Sequence, residues 1–423
     1  MSEAGTGEAG EDRVAARSAI EALRAGVPNG AAIRLLGSVE QEIETAFDAG
    51  LEAAWRAAAA PGLVIAGGFG AGKSHLLGYL REAALQQGFV VSQVAVSKET
   101  PLNLPGVMFA AAMRVAAVQG HADDPVTLAL DALQRRAGAV QDMEAWASTP
   151  GAEVSQPFAA LLHLLSRQMD PALRRGLEAF LAGARPPVSA MRKALGALGA
   201  RRMFDLATVP PARLAQERAR FVPELFRRAG FAGWCVLIDE VELIGRYGPL
   251  QRALAYAELA RWLGLEGGQR PPGLYAAAAI TDDYKDMVIN ARQDDEKLPA
   301  RLELKGLPLQ AALVGRAIAA IQRARLLHPP GVEELQRHAE RLRRCYSDAY
   351  GWPAPPAAIG ERRANRTMRH HIRGWIMQWD MLRLEGVAPA VEIEEAPSDY
   401  SEDDRLTEPV PEDDPGGDAA APD

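Results

Sequence analysis

The chain has 423 residues, of which 48% are hydrophobic and 24% charged, so it can bury a large core and is expected to form two or three structural units. It lacks the run of about eighteen apolar residues that a membrane-spanning helix needs. Its first residues, MSEAGTGEAGEDR, contain no apolar segment typical of a signal peptide. We therefore expect a cytoplasmic protein with no membrane partner. The two cysteines, Cys235 and Cys345, lack metal-ligand spacing and are interpreted as packing residues.

The formal net charge of −8 is unevenly distributed along the chain. Residues 387–423 hold thirteen acidic residues and one arginine, a net charge of −12, which leaves +4 for residues 1–386. Pro, Gly, Asp and Glu dominate this segment, and it offers no apolar cluster for a core. The sequence therefore predicts a disordered acidic tail over residues 387–423, whose removal leaves the folded body intact.

A glycine-rich stretch at residues 67–74 follows a short apolar run and precedes a helical pattern, which is the context of a phosphate-binding loop. Glycine N–H groups wrap around phosphates in such a loop, Lys73 reaches the β and γ phosphates, and the Ser74 hydroxyl ligates Mg²⁺. The spacing therefore predicts ATP binding. The predicted nucleotide-binding residues are Gly67, Gly68, Phe69, Gly70, Ala71, Gly72, Lys73, Ser74 and His75.

Five apolar runs predict the strands of a parallel α/β sheet, at residues 63–66, 89–96, 233–238, 273–280 and 302–307. The third run ends in Asp239 and Glu240. Asp239 is expected to hold Mg²⁺ through its water shell, and Glu240 to activate the attacking water. This pair extends the prediction from ATP binding to hydrolysis, with ADP and phosphate as products.

Thr281 follows the fourth run, where a polar side chain can sense the γ-phosphate or orient water; alternatively, it caps the next helix. The helical pattern at residues 361–384 places Arg362, Arg366, Arg369 and Arg373 on one face. It directs Ile372, Trp375, Ile376 and Trp379 toward a core. The arginine face either reaches a nucleotide or DNA, or is a solvated surface.

The predicted organisation has four parts. Residues 1–60 form an N-terminal helical segment, and residues 61–308 form the core, with a large helical insertion at about 104–230. Residues 309–386 form a C-terminal helical lid, and the acidic tail completes the chain.

The segments IAGGFGAGKSHLLGYL, VSKETPLNLP and GWCVLIDEVELIGRY carry a resemblance that extends from residue 19 to residue 379. The chain resembles P-loop ATPases of the AAA+ class, in the group related to origin-recognition and helicase-loader ATPases. It is most similar to the BrxD family of ATP-binding proteins in BREX phage defence. This resemblance implies a bacterial defence ATPase that works beside a helicase, a DNA methyltransferase and a large ATPase. It also implies a homo-oligomer in which Arg301 acts on a neighbouring subunit, with Arg366 or Arg369 as the lid arginine.

Two classes of function remain open at this point. One is a working ATPase that remodels or regulates a DNA or protein partner, with any DNA contact non-specific. The other is a nucleotide-gated switch or scaffold with slow turnover. A replication-initiator or helicase-loader-like role is a variant of the first. The intact pair Asp239 and Glu240 favours turnover.

Overall fold

The computed structural model describes residues 4–26, 29–58, 60–167, 170–266, 272–357, 367–387, 400–403 and 406. Its centre is a parallel sheet built from β1 (Leu63–Ala66), β2 (Val90–Ala95), β3 (Trp234–Asp239), β4 (Leu274–Ile280) and β5 (Arg325–Leu326). The strand order is β2-β3-β4-β1-β5. The predicted five-stranded parallel α/β sheet is therefore confirmed. β1, β3 and β4 are buried along their whole length, which explains why their sequences are uninterrupted apolar runs.

The prediction of a fifth strand at residues 302–307 is wrong. The first half of that stretch is the end of a helix, Asp294–Leu304, which begins with three acidic residues favourable to a helix N-terminus. Leu298 and Leu302 are four positions apart and both buried, so the relevant periodicity is helical. The actual β5 has only two residues, and both are exposed at the sheet edge beside β1.

Helices surround the sheet and build the rest of the fold. They are α1 (Ala4–Ala25), α2 (Gly30–Leu36), α3 (Gln41–Trp55), α4 (Lys73–Gln86), α5 (Pro105–Arg114), α6 (Pro125–Arg135), α7 (Ala139–Ala147), α8 (Gln156–Leu165), α9 (Pro171–Leu181), α10 (Val188–Ala197), α11 (Pro211–Ala229), α12 (Pro249–Trp262), α13 (Asp294–Leu304), α14 (Pro308–Gln322), α15 (Val332–Tyr350) and α16 (Met368–Glu385). Helices α5 to α11 all lie between β2 and β3, within the stretch predicted as a helical insertion. None of the helices within the described ranges combines the length and hydropathy needed to cross a bilayer.

Three apolar clusters organise the packing. One face of the sheet packs against α3 and α4, and the other joins the inserted helices, α12 and α14 in the largest cluster. A third cluster brings α1 and α2 onto α15 and α16, so the two ends of the helical body form one unit. Helix α14, which the sequence assigned to the lid, packs instead on α12 and α13. Cys235 and Cys345 are buried free thiols, as predicted.

The prediction of a wholly disordered tail is wrong for the described part of residues 387–423. Tyr400 is only 9% exposed and belongs to the largest core cluster, and Leu406 packs against the same cluster. The composition of the segment is acidic, but the Tyr400 ring packs into the core. The other predicted tail residues, apart from 387 and 400–403, lie outside the described residues.

Candidate functional site

The glycine-rich loop connects β1 to α4 and folds around the side chain of Lys73. Lys73 is the first residue of α4 and is buried. Its Nζ donates hydrogen bonds to the carbonyl oxygens of Gly67 at 2.8 Å and Gly68 at 3.1 Å. The loop therefore holds an ammonium group at the N-terminus of a helix, where the helix dipole and free N–H groups also favour an anion.

At two positions of the loop, Gly72 and Gly67, the backbone conformation or the packing disfavours any side chain. Gly72 caps α4 with φ of 109°, a left-handed conformation that side chains rarely adopt. A Cβ on Gly67 would lie 2.9 Å from Leu327 Cδ1, because the residue after β5 packs directly on the loop. The loop is thus fixed both by its own backbone and by its neighbour.

Asp239 and Glu240 lie at the carboxyl end of β3, beside this loop. Asp239 is buried, and its Oδ1 accepts a hydrogen bond from the Glu240 N–H at 2.9 Å. Glu240 has φ of 56°, which is uncommon for a residue with a side chain and is often found at functional sites. The Glu240 residue is exposed, but partial desolvation of its carboxyl and the negative charge of Asp239 raise its pKa, while Lys73 opposes that shift.

Glu242 is a third carboxylate at this site, and the sequence prediction did not include it. It lies on the 3₁₀ turn Val241–Arg246 that follows Glu240. Burial raises its pKa to about 7, and the charge of Lys73 lowers it less strongly. Its buried Oε2 atom has no hydrogen-bond partner among the described residues. The signal available in the sequence was the second glutamate in Asp-Glu-Val-Glu, two positions after Glu240.

A cleft of about 250 Å³ joins the glycine-rich loop to these carboxylates. The loop contributes Phe69 to His75, and Asp239, Glu240 and Glu242 also line the cleft. Helices α1, α2, α15 and α16 close the remaining walls with a mixture of apolar and polar residues: Leu23, Gly26, Leu36, Glu334, His338, Met368, Arg369 and Ile372. The cleft therefore combines the loop and the three carboxylates with a helical wall that carries both apolar and charged side chains.

His75 was predicted to bind nucleotide, and the structure shows what holds it. Its Nε2 lies 2.8 Å from the Gly37 carbonyl oxygen, so this nitrogen carries the proton and donates. Burial lowers the His75 pKa, which favours the neutral ring. His75 therefore connects α4 to the end of α2 at the wall of the cleft, rather than supplying a positive charge.

Arg369 reaches the cleft from α16. Its guanidinium lies 5.5 Å from the ring centre of Phe69, within the range of a cation–π contact. Phe69 is 51% exposed at the tip of the loop. Ile372, Trp375, Ile376 and Trp379 are buried, which confirms the predicted core face of this helix. Arg373 is exposed, and Arg362 and Arg366 lie outside the described residues.

Thr281 and Arg301 do not line the cleft. Thr281 is buried, and its Oγ1 lies 2.5 Å from the hydroxyl of Tyr400. The neighbouring Asp282 is closer to the loop, since its Oδ2 lies 3.8 Å from the position of a Cβ built on Gly68. Arg301 is exposed on α13 and does not precede a strand, so the structural premise for its predicted role is wrong.

Comparison with known proteins gave one finding. The family model described as BREX system ATP-binding protein BrxC/D matches residues 12–123. The matched residues include the glycine-rich loop and Lys73 but end before β3, so Asp239 and Glu240 lie outside them. Neither the curated proteins nor the solved structures gave a match. The match agrees with the predicted family and does not distinguish BrxC from BrxD. Residues 12–123 of the chain are therefore similar to BREX system ATP-binding proteins of the BrxC/D family.

Proposed function

We propose that this chain hydrolyses ATP to ADP and phosphate in the cleft described above, as an AAA+ P-loop ATPase of a bacterial anti-phage defence system in the cytoplasm. The observation that carries the proposal is the juxtaposition of Lys73 with Asp239, Glu240 and Glu242 across one cleft. A loop alone would support binding, whereas carboxylates beside it supply groups for proton transfer.

The residues present fit a magnesium-bound triphosphate. Among the described residues, the Lys73 ammonium is bonded only to loop carbonyls, which phosphate oxygens can replace. The unpartnered Oε2 of Glu242 adds acceptor capacity for a hydrated cation. Among the described residues, no group of three or more His, Cys, Asp or Glu side chains could hold a metal alone. Ser74 and Asp239 would therefore hold Mg²⁺ together with phosphate oxygens, and the ion would neutralise phosphate charge.

In this proposal each protein group has one task. The loop N–H groups and Lys73 bind and orient the phosphates. Glu240 accepts a proton from the attacking water, and its raised pKa brings it closer to neutral pH, as a general base requires. Arg369 approaches the phosphates from the lid in cis, a role that Arg366 could share.

Two of the predicted site residues, Thr281 and Arg301, lie outside the cleft and can act on the nucleotide only indirectly or in a second copy. Thr281 donates its hydroxyl to Tyr400, so it can contribute to phosphate sensing only through the turn that it anchors. Arg301 can contribute only to the site of a neighbouring copy, which requires a homo-oligomer. Other BREX proteins are the expected partners, among them a helicase, a methyltransferase and a large ATPase, and any DNA contact would be non-specific.

A nucleotide-gated switch with slow turnover is the second candidate. Two observations favour it: the Thr281 hydroxyl is bonded to Tyr400, and Arg301 lies outside the cleft. A single subunit therefore lacks part of the predicted catalytic set. In this alternative, ATP fixes assembly and a partner or second copy completes the site.

Phosphate release by the purified protein, with and without DNA, tests the proposal. Replacing Glu240 with Gln should slow hydrolysis by a factor on the order of a hundred or more, because the base is lost while the magnesium ligands remain. ATP affinity should stay within about twofold. Glu303→Gln, an exposed carboxylate on α13, is the matched control and should behave as wild type. Wild-type turnover in Glu240→Gln would remove Glu240 as the base, and negligible turnover in every protein would favour the switch.

A further inference from the structure

The segment Tyr400–Asp403 lies against the two turns that follow β3 and β4. Asp403 is bonded twice to Arg246, which ends the 3₁₀ turn after Glu240: its N–H donates to the Arg246 carbonyl oxygen at 3.0 Å, and its Oδ2 accepts from Nη2 at 3.2 Å. At the other end, Arg292 Nη2 donates to the Tyr400 carbonyl oxygen at 2.5 Å. The segment is therefore held by both backbone and side-chain contacts.

Glu402 adds a contact to a buried arginine. Arg252 is 2% exposed and forms a bidentate pair with Asp294 at 2.8 and 2.9 Å. The Glu402 carboxylate accepts a further hydrogen bond from Arg252 at 3.2 Å and one from Arg292 at 3.3 Å. The Arg252–Asp294 pair is buried, whereas the Glu402 side chain is 45% exposed, so Glu402 ties the segment to a fixed arginine through a partly solvated contact.

The Tyr400 side chain continues inward from this anchor. Its ring packs edge to face on Tyr284, with 5.9 Å between ring centres. Its hydroxyl donates to Asp283 Oδ1 at 2.7 Å, and because that proton is used there, the Thr281 hydroxyl is the donor in the 2.5 Å bond. One phenol group thus fixes the residues on both sides of Asp282.

Asp282 is the member of this turn that faces the glycine-rich loop. Its Oδ2 lies 3.8 Å from the Cβ position of Gly68, and its carboxylate makes no hydrogen bond or ion pair within the part of the chain that the structure describes. A carboxylate at this place can accept a hydrogen bond from a water near the terminal phosphate.

We propose that residues 400–403 clamp the turns after β3 and β4, and that Tyr400 is a positioning residue that holds Asp282 toward the phosphate loop. The role of Asp282 rests on the proposed ATPase function, whereas the clamp itself does not. Residues 400–403 are then an intramolecular component of the site, not part of a dispensable tail.

The first measurement is hydrogen–deuterium exchange of the nucleotide-free protein over residues 281–288. Tyr400→Phe removes only the hydroxyl and should raise exchange there by about tenfold. Tyr284→Phe is the matched control in the same turn, since it removes a buried hydroxyl that bonds Tyr256 at 2.9 Å rather than Thr281 or Asp283. Equal exchange in wild type and Tyr400→Phe, or an equal increase in Tyr284→Phe, would overturn the clamp.

The second measurement is steady-state hydrolysis. Tyr400→Phe should lower kcat about three- to tenfold, with the KM for ATP unchanged within about twofold. Asp282→Asn should have a similar effect, and the double variant should be no slower than Asp282→Asn alone, because both act through one group. Removing residues 400–423 should reproduce the Tyr400→Phe defect or exceed it, whereas removing residues 407–423 should leave kcat unchanged.

The outcomes separate this inference from the proposed function. If the wild type hydrolyses ATP and neither Tyr400→Phe nor Asp282→Asn changes kcat, the positioning role is wrong while the ATPase stands. If the wild type does not hydrolyse ATP, the proposed function and the role of Asp282 both fail, and the exchange measurement still decides whether the clamp exists.

Discussion

Glu242 illustrates how single side chains at this site depend on burial. Its carboxyl group is removed from water, one oxygen lacks a partner among the described residues, and its pKa rises to about 7. Lys73 is the nearest compensating charge, but its ammonium is bonded to loop carbonyls. The ionised form of Glu242 therefore costs stability until a cation or an additional donor arrives.

This cost predicts how stability depends on pH. A carboxyl whose folded pKa lies above the unfolded value of 4.5 contributes stability that is fully present below that value and is lost as pH rises through about 7. Between about pH 5 and pH 8, the free energy of unfolding should therefore fall more in wild type than in Glu242→Gln, by up to about 3 kcal/mol.

Urea unfolding at several pH values measures this difference. Glu258, another buried carboxyl whose pKa is raised to about 7, is present in both proteins, so comparing them isolates Glu242. Parallel pH profiles for the two proteins would show that Glu242 is not buried as an acid.

At the scale of elements, helix α16 and the glycine-rich loop contact each other through Arg369 and Phe69. The Arg369 guanidinium stacks on the Phe69 ring, and this contact holds it beside the cleft. Holding a flexible arginine in advance reduces the entropy lost when it binds a phosphate. The exposed phenylalanine in the loop thus has a physical role beyond filling a motif position.

Phe69→Ala should weaken ATP binding about two- to fivefold, which corresponds to the free energy of a partly exposed cation–π contact. Phe69→Tyr keeps an aromatic face and should bind as wild type. In an Arg369→Ala background, the Phe69→Ala change should have no further effect. Equilibrium binding of a fluorescent ATP analogue measures all four proteins, and an equal loss in the Arg369→Ala background would show that the two side chains act independently.

The success of sequence prediction also varied by element. β1, β3 and β4 are buried on both faces, so their apolar runs identified them directly, and the loop residues follow from fixed spacing. β5 has two exposed residues and carries no such signal. Leu302 was assigned to a strand because Leu and charged residues alternate locally. The helix that contains it begins earlier, with acidic residues in its first turn that favour a helix N-terminus. Tyr400 was missed because its docking site consists of side chains distant in sequence, including Thr281 and Arg292.

At the scale of the whole molecule, helices α1, α2, α15 and α16 pack in one apolar cluster beside the cleft. Arg301 lies away from this cluster, on an exposed part of α13. Within the described residues, the Arg301 guanidinium makes no hydrogen bond or ion pair, so it is accessible to a second copy. If it acts there, ATPase activity per subunit should rise with protein concentration.

Arg301→Ala should flatten that rise without changing ATP affinity of the monomer. Arg175→Ala removes an exposed arginine from α9 in the inserted helices and should preserve the rise. Activity measured alongside sedimentation distinguishes the cases. A concentration-independent rate while dimers or larger assemblies form, or weaker ATP binding by monomeric Arg301→Ala, would exclude action in trans.

The central claim is that the cleft at residues 67–74 binds ATP through Lys73, and equilibrium titration of the protein with Mg²⁺-ATP tests it most directly. Lys73→Ala should weaken binding by a factor of about a hundred or more, because a charge-assisted contact to two phosphates is lost. Lys193→Ala, an exposed lysine on α10, should bind as wild type, and circular dichroism should show that both variants are folded. Wild-type ATP affinity in folded Lys73→Ala would contradict the account.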